Sequence, residues 1–290
     1  MTLNVFVINL LNGISFGSVL FLLASGLSII FGLMGILNLS HGALYMVGAY
    51  VGWTVAAKYG LNFGLAVLAG GLTAGALGLF IEQGFLRRLY KQLNEQVLLT
   101  FGFVYILTNL CLWIWGPLAR PAFTADFLSG SFPIGHWSYP IARAGIIITG
   151  LVLAVGLWWL QNRTRVGAIV RAGMDDKEMT MGLGVNLKKV SVVLFFVGSF
   201  LAGFAGVIGA QFLGVNLEFG INILLLALVV IVIGGMGSVE GTLLGSMVIG
   251  IIDAFGKALF PGLAMFLIYF VMIIVLLVRP AGLLGRMQKE

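Results

Sequence analysis

Long apolar stretches separated by short polar segments run along the whole chain. A helix that spans a membrane needs about 20 mostly apolar residues. Measured against that length, the sequence predicts about nine spans, within a range of eight to ten, at Val5–Ile29, Ser40–Ala57, Phe63–Phe85, Val97–Trp115, Ala144–Leu160, Val190–Leu213, Ile221–Ile233, Gly241–Gly256 and Leu263–Val278. The seventh and eighth are short and interrupted by glycine, so we expect one or two broken or short helices there.

The composition excludes a soluble domain. Of the 290 residues, 60% are hydrophobic and 9% are charged, whereas soluble domains carry about 25% charged residues. A membrane β-barrel would show alternating segments of about 10 residues instead of continuous apolar runs. We therefore predict an all-α polytopic membrane protein in which residues 1–290 form a single transmembrane domain.

The basic residues predict the orientation in the membrane, because Lys and Arg accumulate in cytoplasmic loops. If the spans alternate, most of the 16 Lys and Arg residues fall on one side: Arg87, Arg88, Lys91, Arg163, Arg165, Arg171, Lys177, Lys188, Lys189, Arg279, Arg286 and Lys289. Lys58, Arg120, Arg143 and Lys257 fall on the other. The N-terminus is thus predicted outside and the C-terminus inside, with a cytoplasmic loop at 162–189 and an external loop at 116–143. The net charge of +6 indicates topology and does not indicate nucleic-acid binding.

No constellation for catalysis is present. The single Cys111 can form no disulfide within the chain, and His41 and His136 lie far apart in sequence. A phosphate-binding loop has Gly-x(4)-Gly-Lys-Ser/Thr, but the nearest match, Gly250 to Ala258, has one residue too many and lacks the final hydroxyl. We predict that this chain is not an enzyme and holds no metal or cofactor of its own.

Polar and small residues are concentrated between the first two spans, at Asn38, Ser40, His41, Gly42 and Tyr45. Two interpretations stay open. Asn38 or Ser40 caps a helix and His41 is a satisfied polar residue near the interface, or the segment contacts substrate or acts as a gate.

Three ionisable residues stand in or near the spans: Glu82, Asp253 and Lys257. Asp253 and Lys257 are four residues apart, which predicts an ion pair on one helix. Such groups are functional suspects in a membrane. A proton- or ion-coupled secondary transporter, with Asp253 or Glu82 as carrier, is therefore an alternative function.

Small residues also recur at four-residue spacing, which predicts close helix packing within the chain in preference to a dimer seam. These are Gly70, Ala74 and Gly78; Gly71 and Gly75; Gly198, Ala202 and Gly206; and Gly241 and Gly245. In the cytoplasmic loop, charges alternate with Met174, Met179 and Met181, which favours a short amphipathic helix ending at Gly184. Docking to a partner and a solvated linker are equally compatible with that pattern.

Four ordered motifs resemble the branched-chain amino acid ABC transporter permeases, in particular their H-type subunit. They are Gly26-Leu-x-x-Ile30-Phe-Gly32 with Ile36-Leu-Asn38-Leu-Ser-His41-Gly42-Ala43-Leu-Tyr45-Met-x-Gly48-Ala49-Tyr50; Arg171-Ala172-x(3)-Asp176-x(7)-Gly184-Val185-Asn186; Gly234-Gly235-Met236-Gly237-Ser238-x-x-Gly241; and Arg279-Pro280-x-Gly282-Leu283. The chain departs from the family pattern at Thr180, Gly182, Glu240 and Leu284, so the substrate stays open among branched-chain or other amino acids, urea or amides, and organic acids.

The resemblance implies a multi-subunit importer in the bacterial inner membrane. Its expected partners are a second permease (a distinct M-type chain or a copy of this one), two cytoplasmic ATPase subunits that hold ATP and Mg, and a periplasmic or lipid-anchored binding protein. Residues expected to form the translocation path or its gate are Asn38, Ser40, His41, Gly42, Tyr45, Gly235, Gly237 and Ser238. Residues expected to couple to the ATPases are Arg171, Asp176, Gly184 and Asn186.

Overall fold

The computed structural model describes residues 3–90, 92–135 and 137–285. Lys91, Arg286 and Lys289, used above to predict orientation, and His136 lie outside these ranges. The described helices are α1 (Leu3–Met34), α2 (His41–Trp53), α3 (Phe63–Gly84), α4 (Leu93–Trp115), α5 (Ile141–Arg163), α6 (Arg165–Asp175), α7 (Lys177–Gly182), α8 (Leu187–Leu213), α9 (Phe219–Gly234), α10 (Val239–Leu259) and α11 (Ala264–Val278).

Each predicted span coincides with a described helix, and the prediction of a polytopic all-α membrane protein is confirmed. Seven of the described helices are long and apolar enough to cross a membrane on their own: α1, α3, α4, α5, α8, α10 and α11, the last counted with the short 3₁₀ turn before it. The other two are α2, which a π-helical turn at Thr54–Lys58 extends, and α9, which has 16 residues.

The expectation of short or broken helices is right for α9 and wrong for α10. The latter is a continuous helix of 21 residues. Its glycines serve close packing and do not interrupt it: a Cβ at Gly245 would lie 2.6 Å from the carbonyl oxygen of Val230 in α9. On another face, Gly250 lies against the backbone of Gly13 and Gly17 in α1.

The centre of the bundle is α1. Buried residues make up 83% of its most apolar 18 residues, against 11% for α11. α1 packs along α8 and α10, and α8 packs in turn against α2 and α3. α4, α5 and α11 lie at the periphery, with large apolar side chains exposed. This arrangement is that of a bundle with a buried central helix and a lipid-facing outer layer.

The small-residue stripes pack within the chain, as predicted. A Cβ at Gly70 would lie 2.8 Å from the carbonyl oxygen of Gly48, and one at Gly71 would lie 2.6 Å from the Phe200 ring. Similarly, a Cβ at Gly26 would lie 2.5 Å from the carbonyl oxygen of Gly198. In a membrane, burying apolar surface between helices contributes little free energy, because the lipid is itself apolar. Close packing of helix backbones therefore stabilises helix association.

The predicted external loop contains structure that the hydropathy pattern does not indicate. Strands β1 (Ser131–Ile134) and β2 (Trp137–Pro140) form an antiparallel hairpin. The backbone of Arg120 pairs with that of Val215 after α8, and the Arg120 guanidinium lies 5.1 Å from the centre of the Trp53 ring. The loop therefore forms a folded cap over the ends of α2 and α8.

Candidate functional site

The segment between α1 and α2 turns back along α1. Gly35, with φ of +69°, ends α1. The Nε2 atom of His41 then donates to the carbonyl oxygen of Leu23 at 3.1 Å. Leu23 lies about three turns, or roughly 16 Å, before the end of α1 at Met34. The second helix thus begins well inside the bundle and not at its surface.

The polar side chains at the start of α2 are fully buried. Asn38 Oδ1 accepts hydrogen bonds from the Ser40 amide at 3.1 Å and the Ser40 hydroxyl at 2.6 Å. Ser40 occupies the position before the helix but its side chain caps no backbone group of α2. Within the described residues, Asn38 Nδ2 and His41 Nδ1 are buried without a hydrogen-bond partner. Neither Asn38 nor Ser40 therefore caps an amide within α2. Asn38 and His41 each bond one backbone group and keep one polar atom unused.

Gly42 and Tyr45 place α2 against two other helices. A Cβ at Gly42 would overlap the carbonyl oxygen of Gly220 in the first turn of α9 and lie 2.6 Å from Cβ of Leu224. The Tyr45 hydroxyl fills the space that the missing side chain of Gly209 leaves on α8. The buried start of α2 consequently touches one side of the first turn of α9, whose other side is exposed at Ile221 and Asn222. Discontinuous helices that point their N-termini inward are typical of transporter substrate sites.

Gly235, Gly237 and Ser238 do not join this group. They form the turn from α9 to α10, at the opposite end of α9, about 24 Å away along a 16-residue helix. Gly235 and Gly237 have φ of +102° and +80°, and Ser238 Oγ accepts from the Gly241 amide at 3.0 Å, which caps α10. The predicted path residues therefore divide into two groups near opposite ends of α9, and Gly235 and Gly237 in the second group are buried as well.

The tail lies across the same turn. The Leu283 amide donates to the carbonyl oxygen of Ile233 at 2.7 Å, and the Leu284 amide donates to that of Gly234 at 3.0 Å. Gly235 and Gly282 approach each other closely. Two motifs that are separate in sequence are thus parts of one contact.

The predicted coupling segment forms two helices and not one. Asp176 has an extended backbone between α6 and α7, and its Oδ1 accepts from the Met179 amide at 2.9 Å, so it caps α7. The expectation of a single helix ending at Gly184 is wrong, because this cap starts a new helix. Gly184, with φ of +85°, lies two residues beyond the end of α7.

The remaining predicted coupling residues, Asn186 and Arg171, make different hydrogen bonds. Asn186 Oδ1 accepts from the Lys189 amide at 3.2 Å and caps α8. Arg171 is half-buried, and its Nη1 lies 3.5 Å from Asn162 Oδ1. Three apolar side chains on and just after α7 are exposed: Met179 (66%), Met181 (53%) and Leu183 (75%).

Met174 connects the coupling segment to the bundle, a role that sequence reasoning missed. A Cβ at Gly32 near the end of α1 would lie 2.9 Å from Met174 Cε. The same methyl group covers Gly237. Lys177 Nζ donates to the carbonyl oxygen of Met34 at 3.3 Å. α6 therefore contacts both the end of α1 and the α9–α10 turn, and the only available signal was the amphipathic pattern around Met174.

The ionisable residues are paired or covered. The predicted ion pair is confirmed, with Lys257 Nζ at 2.7 Å from Asp253 Oδ2. Glu82 is buried and accepts a hydrogen bond from the Tyr90 hydroxyl. Burial first, and this carboxylate second, raise the pKa of Tyr90. Among the described residues, no group of three or more His, Cys, Asp or Glu could hold a metal ion.

Known proteins of one family match this chain over nearly its whole length. The family model described as "Branched-chain amino acid transport system / permease component" matches residues 9–276. The high-affinity branched-chain amino acid transport system permease protein LivH of Escherichia coli K12 is 30% identical over 301 residues, which cover 98% of this chain and 97% of that protein. BraD of Pseudomonas aeruginosa is 30% identical over 298 residues, covering 97% of this chain and 96% of that one.

Two more distant similarities were found. The permease protein LivM of Escherichia coli K12 is 26% identical over 289 residues, covering 91% of this chain and 67% of that protein. Among solved structures, PsaBC from Streptococcus pneumoniae in complex with Fab matches with a TM-score of 0.51 at 14% identity, covering 92% of this chain and 89% of that chain. This last similarity concerns the fold alone.

Proposed function

This chain belongs to the branched-chain amino acid transport permease family, and on that premise we propose that it is the H-type permease subunit of an ATP-driven importer. Its substrate is a branched-chain or other amino acid or a related small polar solute. The chain forms part of the translocation path, and its work is conformational. ATP and Mg are bound by partner subunits, and this chain catalyses no reaction.

The observation that carries this proposal is a continuous set of contacts from a surface helix to the buried helix ends. Exposed apolar side chains on and after α7 offer a docking face. Met174 links the neighbouring α6 to the end of α1 and to the α9–α10 turn. α9 then runs to the start of α2, where Gly42 meets Gly220. A partner that displaces α7 would therefore act on the buried site through rigid helices.

The buried site itself supports transport of a zwitterionic or polar solute. The buried N-terminus of α2 lies there against the first turn of α9, and a helix N-terminus favours a carboxylate group. The unused Asn38 Nδ2 is a further donor, and His41 Nδ1 is an acceptor when Nε2 carries the proton. A small amino acid offers a partner to each. Parting of α2 from α9 would open this site in the transport cycle.

The partners and the orientation follow the family. We propose a second permease of the M type, two cytoplasmic ATPases that dock on α7, and a periplasmic or lipid-anchored binding protein. The N-terminus is outside and the C-terminus inside the bacterial inner membrane. If successive spans alternate in direction, Arg87, Arg88 and Arg163 lie at the same end of the bundle as α6 and α7. This accumulation of basic residues supports a cytoplasmic location for that end.

A proton- or ion-coupled secondary transporter is the second candidate, because Glu82 Oε2 is buried without a partner among the described residues. The two candidates differ in their energy source. The purified chain in liposomes should take up labelled leucine only with its ATPase and binding-protein partners and with ATP. Uptake by the chain alone, driven by a proton gradient, would replace the ATP-driven proposal.

Docking is tested by co-purification of the ATPase subunit. Met179→Asp with Leu183→Asp places two charges on the proposed docking face and should abolish co-purification. Val166→Asp on α6, where the side chain is 47% exposed, introduces the same charge elsewhere and should leave it unchanged. Retention of the ATPase by the double variant would contradict docking on α7.

A further inference from the structure

A groove lies between the end of α3 and the first half of α4. Its volume is ≈ 700 Å³. The lining residues are Phe80, Phe85, Leu89, Glu95, Leu98, Leu99, Gly102, Phe103 and Ile106. A Cβ at Gly102 would meet nothing within 4 Å, so the space above this glycine is open. All but one of these residues are apolar, and the groove opens on the lipid-facing periphery of the bundle.

Two arginines adjoin one end of the groove. Arg87 and Arg88 lie on the 3₁₀ turn Leu86–Leu89, which joins α3 to the groove's edge. Both are exposed, and neither guanidinium group makes a hydrogen bond or ion pair to another described residue. The Arg88 amide bonds to the carbonyl oxygen of Phe85, so one turn separates Arg88 from a groove-lining ring.

The start of α4 brings both free amide groups and an acidic side chain to the groove. No side chain caps the helix at Gln92, so its first amide groups remain available to an anion. Glu95 lies in the first turn of α4 and lines the groove. Its charge would repel an anion on its own side, which leaves the Arg87 and Arg88 side of the mouth as the place for a negative group.

We propose that this groove binds one anionic phospholipid of the membrane. An acyl chain lies along the groove over Gly102, and the phosphate contacts Arg87 and Arg88. An apolar groove between helices with basic residues at its cytoplasmic end is the arrangement that recognises anionic headgroups. A second groove of ≈ 470 Å³ lies on the other side of Leu98, lined also by Leu39, Leu93 and Phe101, and it accommodates the second acyl chain.

A lipid fits this surface better than a helix of a second permease does. A protein helix buried against the same face would have to cover two unpaired guanidinium groups, which is costly without acidic partners. A phospholipid instead brings its own negative charge to them, while its chains need no hydrogen bonds. The two arginine charges beside an apolar groove therefore favour an anionic phospholipid over a protein helix.

The test counts the lipids that stay bound to the full-length chain, purified in mild detergent with the subunits that bind it. Native mass spectrometry is run after incorporation into nanodiscs of phosphatidylglycerol or of phosphatidylcholine. Wild-type protein should retain phosphatidylglycerol in preference. Each of Arg87→Gln and Arg88→Gln should lower its retention about fivefold. Gly102→Leu should displace the acyl chain and lower retention without a backbone clash.

Matched controls separate the groove from the general surface. Gly156→Leu makes the same change at an exposed α5 position, where a Cβ likewise meets nothing within 4 Å. Arg163→Gln with Arg165→Gln removes two charges at another helix end on the same side. Neither control should change lipid retention.

Equal retention of the two lipids, or equal losses in test and control variants, would overturn the proposal. So would efficient cross-linking of Leu98→Cys to a second permease, because a protein would then occupy the groove. Arg87 and Arg88 are exposed, so their glutamine variants test the lipid site even if Gly102→Leu fails to fold.

Discussion

The contact between Gly42 and Gly220 yields the sharpest prediction. In Gly42→Ala, the new methyl group would lie 2.6 Å from Cβ of Leu224 and overlap the Gly220 carbonyl oxygen. Carbon atoms prefer separations of about 3.5–4.0 Å. The starts of α2 and α9 must therefore separate by about 1 Å, and the overlap involves backbone that cannot rotate away. Overpacking of this kind costs about 1–3 kcal/mol.

In an alternating-access cycle, that cost falls on the state in which the two helix ends touch. A cost of 1–3 kcal/mol shifts an equilibrium about 5- to 150-fold. We therefore expect substrate uptake by Gly42→Ala to fall by a factor in that range, while the variant still reaches the membrane and binds its ATPase. Uptake of labelled substrate into proteoliposomes, with expression and co-purification measured in parallel, gives both quantities.

The control is Gly156→Ala, which adds the same methyl group where nothing lies within 4 Å. It should transport as the wild type does, because its only effect is a gain in helix propensity. If Gly42→Ala also transports at the wild-type rate, the close contact between α2 and α9 has no role in the cycle, and the proposed site at their ends is wrong.

Two further predictions concern the contacts on either side of this site. Met174→Ala removes the methyl group that covers Gly237 and should reduce ATP-driven uptake while ATPase co-purification persists; simultaneous loss of both would mean that Met174 only stabilises the docking helix. Asp253→Asn should lower stability by at most about 1 kcal/mol, because Lys257 is 63% exposed and such pairs contribute little. The same variant should keep its ATP-driven uptake. Proton-driven uptake by the wild type that Asp253→Asn abolishes would instead favour the secondary-transporter alternative.

Hydropathy was sufficient to predict the nine apolar helices among the described residues, although α2 and α9 are shorter than a full span. It could not predict where α2 begins. The segment from Gly35 to Ser40 is too short to have a pattern of its own, and its depth follows from the bond between His41 and Leu23, 18 residues apart. The sequence marked Gly42 as a candidate path residue, but it could not predict the contact with Gly220, which is distant in the chain.

The coupling residues were predictable as helix ends, because Asp, Asn and Gly have clear preferences there. Asp176 caps α7, Asn186 caps α8, and Gly184 adopts the left-handed conformation. The contacts of Met174 were not predictable, since methionine fills irregular gaps without a positional signature. The hairpin between α4 and α5 was missed because its strands are four residues long.

The bonds from Leu283 and Leu284 to the end of α9 have a consequence for biosynthesis. This contact cannot form until α11 has left the ribosome and entered the membrane. Until then, the α9–α10 turn presents two glycines in left-handed conformations without the backbone that covers them. The α9–α10 turn that Met174 contacts is therefore completed late in assembly, and a nascent chain halted before α11 would leave this turn uncovered.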